Sequence, residues 1–79
     1  MLGHAMMLQG IRERIEVSRV RCAIHRMTME WCEEQANACV LVAPKSARLW
    51  RLDANKARDA LEAHTNEIAK LEAELAKHV

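Results

Sequence analysis

Apolar residues between Met7 and Val40 recur at alternating spacings of three and four, and they do so along two separate lines. The first runs Leu8, Ile11, Ile15, Ser18, Cys22, His25, Met29, Cys32, Ala36 and Cys39. That is helical periodicity held over several heptads, so the stretch predicts one long helix over about residues 7–37. The second line, Val17, Val20, Ile24, Met27, Trp31 and Ala38, falls on another face of the same helix. Charged or polar rows separate the two, Arg12, Arg19 and Arg26 on one side and Arg14, Arg21 and Thr28 on the other. One neighbouring helix covers only one such seam. The second seam is therefore expected to meet another molecule, and Val17, Val20, Ile24, Met27 and Trp31 are the residues expected to form a dimer interface.

Downstream the pattern changes twice. Cys39 to Ala43 is rich in β-branched residues, Asn37 could close the first helix in the left-handed conformation, and Pro44 breaks it. With Pro44, Lys45 and Ser46 as a turn, Ala47 to Leu52 could pair back as a strand, giving a short β-hairpin over residues 39–52. The rival reading makes Ser46 an N-cap and runs a helix on from Ala47, with Ala47 and Trp50 extending the downstream seam. Asp53 is the N-cap expected for a second helix over about 54–77, whose seam alternates Ala54, Leu61, Ile68 and Leu75 with Ala57, His64, Leu71 and His78. Residues 1–6 are expected to fray.

Charge then fixes how the two helices lie. The formal net charge is only +1, but it is partitioned into blocks. Residues 1–29 are arginine-rich, Glu30, Glu33 and Glu34 follow, residues 44–58 are basic again, and residues 59–79 are acidic. An antiparallel hairpin sets every block against its opposite, and alignment of Asn37 with Ala54 brings His64 within about one turn, roughly 5 Å, of the level of His25.

The 79 residues make a single small helical domain, too short to bury more than roughly 60% of its unfolded surface, which makes oligomerisation a common remedy. The expected fold is mainly α: an antiparallel two-helix hairpin that dimerises into a four-helix arrangement. Three cysteines, none in a CxxC pair, with no signal-like start and no apolar run long enough to span a membrane, point to a reduced cytoplasmic protein without membrane attachment.

Chemistry is sparse. Cys22, His25, Met29 and Cys32 share a face, and Cys22 and His25 with His64 across the hairpin would be a possible zinc or copper(I) site, which makes a metal-responsive switch one reading. The spacing matches no known zinc pattern and these residues also serve as core fillers, so no metal and no cofactor is expected. With glycines only at positions 3 and 10 and no nucleophile-base constellation, catalysis is not expected either. Arg12, Arg14, Arg19, Arg21 and Arg26 could track a nucleic-acid backbone, but Glu13 and Glu16 interrupt the stripe and no Tyr or Phe is present to stack on bases. Trp31 and Trp50 are the only large aromatics. Trp50 and Arg51, with Arg48, Leu49 and more weakly Trp31, are the residues expected to contact a larger protein partner at the closed end. The leading expectation is a non-catalytic homodimeric regulator, inhibitor or adaptor, of the kind mobile elements use as accessory proteins. A nucleic-acid-binding regulator is the alternative.

Overall fold

The computed structural model describes residues 2–78, and they form two helices joined by a four-residue connection: α1, Leu2–Cys39, and α2, Pro44–Lys77. A 38-residue helix rising about 1.5 Å per residue is close to 57 Å long, and the hairpin measures 63 × 14 × 12 Å. Its radius of gyration is 17.8 Å, against about 12 Å for a compact chain of this length. The molecule is a rod two helices thick.

α1 runs unbroken because no proline falls within it and its glycines do not redirect it. Of the residues expected to fray, Met1 lies outside the described residues, and Leu2 to Met6 belong to α1. Gly10 faces open space, so it carries only the helix-propensity penalty and answers no packing need. Asn37 does not close the helix: no described residue has a positive φ, and α1 continues to Cys39. There the Cys39 carbonyl accepts hydrogen bonds from the Val42 N–H at 3.1 Å and the Ala43 N–H at 2.8 Å, which reverses the chain.

The β-hairpin over residues 39–52 does not form; the described residues contain no strand. Pro44 is the reason. Its ring fixes φ near the helical value and its missing N–H would be unpaired in a first turn anyway, so it opens α2 where the sequence suggested a turn. Ala43, extended at φ −145° and ψ 72° as a residue before proline should be, takes the cap position without a side-chain cap. Its carbonyl receives the Ala47 N–H at 3.0 Å. Ser46 and Asp53, both expected as N-caps, lie inside α2, which starts about ten residues earlier than the boundary expected at Ala54. The continuous-helix alternative is the one observed.

All ten positions of the first seam of α1 are buried or half-buried. Toward the open end, Ile11 and Ile15 pack with Leu71, flanked by Ile68 and Leu75. Toward the turn the buried residues are small, Cys32 and Ala36 from α1 and Ala47, Ala54 and Ala57 from α2. Small side chains there let the two backbones approach closely, and they also leave that half with little apolar volume. Ion pairs set the register. Arg58 Nη2 lies 2.6 Å from Glu33 Oε1 and Arg19 Nη2 lies 3.2 Å from Glu72 Oε1, both at the offset that places Asn37 opposite Ala54. Arg14 and Glu67 approach to 3.8 Å. Exposed pairs of this kind contribute about 0–1 kcal/mol each, enough to choose orientation and alignment and too little to hold the fold.

Candidate functional site

Once α2 covers the first seam, the second has nothing on it. In the heptad set by the buried positions, Val17, Ile24 and Trp31 occupy one outward position and Val20 and Met27 the other; all five are exposed, and of them Trp31 reaches α2, at Trp50. Val17, Val20 and Ile24 form the floor of an open groove, with Glu16 on one wall and Arg21 on the other. At its two ends the same outward line becomes acidic, with Glu13 before Val17 and Glu34 after Trp31.

A second exposed apolar surface lies at the closed end of the hairpin. Leu41 is 93% exposed and Val42 84%, and Leu49 and Leu52 stand on the outward side of the first turns of α2. The two surfaces are joined by the aromatic pair. Trp31 and Trp50 meet edge to face with ring centroids 4.9 Å apart and planes at 89°, an arrangement in which a positive ring edge meets a negative ring face. Because α2 begins at Pro44, Trp50 falls in its inward seam and is half-buried, whereas Trp31 lies on the outward face of α1 and is 52% exposed. Arg48 and Arg51 are exposed beside it, without an ion pair among the described residues. Leu41 and Val42 are not singled out by sequence. The signal was present: an apolar Val40-Leu41-Val42 run against a proline, where a solvent-facing turn would ordinarily carry Gly, Asn, Asp or Ser.

Halfway along the rod, His25 and His64 stack face to face, with centroids 5.2 Å apart and planes at 8°. The expected alignment of their levels is therefore observed. His64 Nδ1 is buried without a hydrogen-bond partner, the nearest carboxylate oxygen, Glu67 Oε2, lying 3.8 Å away. Cys22 does not complete a trio with the two imidazoles. Its thiol lies 3.8 Å from the Thr65 hydroxyl, whose own proton goes to the Leu61 carbonyl at 2.8 Å, which leaves the thiol as donor. Among the described residues no group of three or more His, Cys, Asp or Glu side chains is placed to hold a metal ion. Cys39 stands alone, half-buried at the turn.

The arginine stripe is split by the fold. Arg19 and Arg14 turn to Glu72 and Glu67 of α2, whereas Arg12, Arg21 and Arg26 stay exposed without an ion pair among the described residues. No helix is long and apolar enough among the described residues to cross a membrane. Comparison with protein-family models, with curated proteins and with solved structures finds no match to this chain.

Proposed function

We propose that this protein is a small, non-catalytic cytoplasmic binding module that works as a homodimer, joined through the outward seam of α1, and regulates or inhibits a larger protein docked at the closed end. The observation that carries the reading is exposed apolar surface of two different shapes on one rod, meeting at the Trp31 and Trp50 pair. Val17, Val20, Ile24, Met27 and Trp31 form a long stripe suited to a second helix, and Leu41, Val42, Leu49 and Leu52, with the edge of Trp50, form a compact knob flanked by Arg48 and Arg51. A stripe and a knob fit different occupants.

Surface area supports the need for one. The hairpin exposes 5998 Å², whereas a folded monomer of 9.0 kDa is expected to expose about 4,900 Å². The excess, roughly 1,000 Å², is comparable with the 800 Å² or so that each partner contributes to an ordinary specific interface. Among the described residues the large buried side chains of the core are Ile11, Ile15 and Leu71 near the open end, and the rest of the buried seam is built of small residues. The exposed residues of the stripe are what a second chain would add to it.

The open shape supports the non-catalytic reading. Two helices and a turn produce open grooves, such as that of Val17, Val20 and Ile24, without walls that would seclude a reacting group from water. Nucleic-acid binding is the weaker reading, since two of its five arginines are drawn into contacts with α2. The test is the mass of the protein in solution, measured by light scattering at micromolar concentration, followed by purification from its native cell and identification of what accompanies it. A monodisperse monomer would remove the dimer, and nucleic acid as the companion, lost steeply with salt, would replace the protein-docking reading.

A further inference from the structure

The occupant of the α1 stripe is a second copy of this chain, and we infer that the two copies lie parallel, with both closed ends at the same end of the dimer. The inference rests on the homodimer reading above and concerns the orientation that reading leaves open. Three features of the stripe decide it.

The first is the flanking charge. Take Val17, Ile24 and Trp31 as one core row of the new contact and Val20 and Met27 as the other. The residues beside them are then Gln9, Glu16, Ala23 and Glu30 on one edge and Arg14, Arg21, Thr28 and Gln35 on the other. In a parallel pair of helices each residue of the first edge faces the residue about five positions later on the opposite edge of the partner. Glu16 thereby meets Arg21 of the second copy, Glu30 meets Gln35, Gln9 meets Arg14 and Ala23 meets Thr28. Twofold symmetry repeats each contact. No flanking pair is like-charged, and Glu16 with Arg21 is complementary. These two residues already form the opposing walls of the groove over Val17, Val20 and Ile24.

In an antiparallel pair like edges face each other. Each row then packs on the other row: one register sets Val17 against Met27 and Val20 against Ile24, which brings Glu16 near Glu30 and Arg21 onto Arg21 of the second copy, and the other sets Ile24 against Met27 and Val20 against Trp31, which leaves Val17 on Glu34. Glu13 and Glu34 face their own copies in the parallel pair, beyond the two ends of the apolar stripe, whereas each antiparallel register sets one of them on an apolar residue of it. The flanking edges therefore choose.

The second feature is availability. Arg21 is exposed without an ion pair among the described residues. Glu16 is approached only by Arg19 at 3.5 Å, and that guanidinium is engaged more closely by Glu72 at 3.2 Å. Neither residue has to abandon a contact across the hairpin to reach the second copy. The third is extent: the parallel pair brings all five stripe residues onto their own copies, whereas either antiparallel register leaves Val17 or Trp31 on a glutamate.

Orientation has a consequence for docking. In the parallel dimer two copies of the Leu41, Val42 and Leu49 knob stand side by side and present one doubled surface, whereas antiparallel chains would hold the knobs at opposite ends of a rod of 63 Å or more.

Charge reversal tests the inference, with dimer dissociation followed by analytical ultracentrifugation at low salt and helicity by circular dichroism. Glu16→Arg and Arg21→Glu are each expected to weaken self-association about tenfold, since each sets like charges together at two symmetric places. Mixing the two variants is expected to form a heterodimer tighter than either homodimer, because both flanking pairs are then complementary. The double variant in one chain is expected to return to near wild-type affinity. Tighter association of Glu16→Arg alone would overturn the parallel arrangement, since in the antiparallel one the change relieves the Glu16 and Glu30 repulsion. Unchanged affinity of both single variants would overturn it as well. Failure of the underlying reading looks different: a wild-type chain that is monomeric, or a dimer indifferent to Ile24→Asp. Glu16→Gln, which removes charge without adding repulsion beside Arg19, keeps the test sound if Glu16→Arg loses helicity, and it is expected to weaken the dimer by a smaller factor.

Discussion

Replacing Ile24 by Asp separates the stability of the hairpin from that of the dimer, because this side chain is 55% exposed in the single chain and central to the stripe. Full burial of an isoleucine is worth roughly 1.5–3 kcal/mol, so the half still open to solvent has about 1 kcal/mol to gain from a partner, or about 2 kcal/mol over the two symmetric copies. The aspartate does more than forgo that gain. In the parallel pair position 24 faces position 24, and two carboxylates would be pressed into an apolar contact; an uncompensated buried charge costs about 3–5 kcal/mol. The dimer should lose at least about 4 kcal/mol, a factor of roughly 1,000 in its dissociation constant. Within the hairpin the same change costs only the weaker helix propensity of Asp, under about 1 kcal/mol. Sedimentation should show a monomer at concentrations where the wild type is dimeric, while circular dichroism shows helices intact. Ile15→Asp is the contrast, since Ile15 is 5% exposed and packs with Ile11 and Leu71, and it should unfold the hairpin itself. An Ile24→Asp protein with native helicity and the wild-type dimer mass would refute the reasoning.

Three further outcomes are expected. Gly10→Ala should raise stability by about 0.5–1 kcal/mol in thermal or urea unfolding, since the position is helical and the added methyl meets nothing within 4 Å. Trp50→Ala combined with Arg51→Ala should leave the dimer mass unchanged and reduce affinity for the co-purified partner at least tenfold, measured by calorimetry; undiminished binding would move the contact to the arginine face of α1. Cys22→Ser should bind no less metal than the wild type by elemental analysis after purification without chelators, and stoichiometric zinc or copper lost in the variant would restore a metal role to His25 and His64.

The helices and their alignment were legible because they rest on periodicity and charge, which survive translation from sequence to structure. Ten positions spaced by three and four from Leu8 to Cys39 all turn inward, and the blocks of charge pair as Glu33 with Arg58 and Arg19 with Glu72. The connection was not legible by the same means. Val40, Leu41 and Val42 suggest a strand on intrinsic preference, but that preference describes how a side chain fits a pleated, half-covered surface, and there is no second layer here to provide one. Pro44 was read for the helix it ends, and its larger effect is on the helix it begins. The half-burial of Trp50 follows from that start. Starting α2 at Pro44 puts Trp50 in line with Ala47, Ala54 and Ala57 on the inward side.

What could be covered also decides which exposed residues matter. In a two-helix rod each helix shields one face of the other, so an apolar residue off that face stays in solvent however hydrophobic it is. The outward positions of α2 accept this and are Lys56, Asp59, Ala63, Asn66 and Lys70 beyond its first two turns, all exposed. The corresponding positions of α1 are Val17, Val20, Ile24, Met27 and Trp31. Both helices stand in the same environment of the isolated hairpin, with similar lengths and equivalent geometry, so neither helix formation nor packing between them accounts for the difference. An isolated rod would be as well served by lysines on the back of α1. On the homodimer proposed above, the asymmetry is accounted for by a contact of α1 outside the hairpin, with α2 on the outside of the assembly and its polar back in water. A four-helix arrangement built this way is a row, α2 and α1 of one copy followed by α1 and α2 of the next, in which both α1 helices acquire a neighbour on each apolar seam.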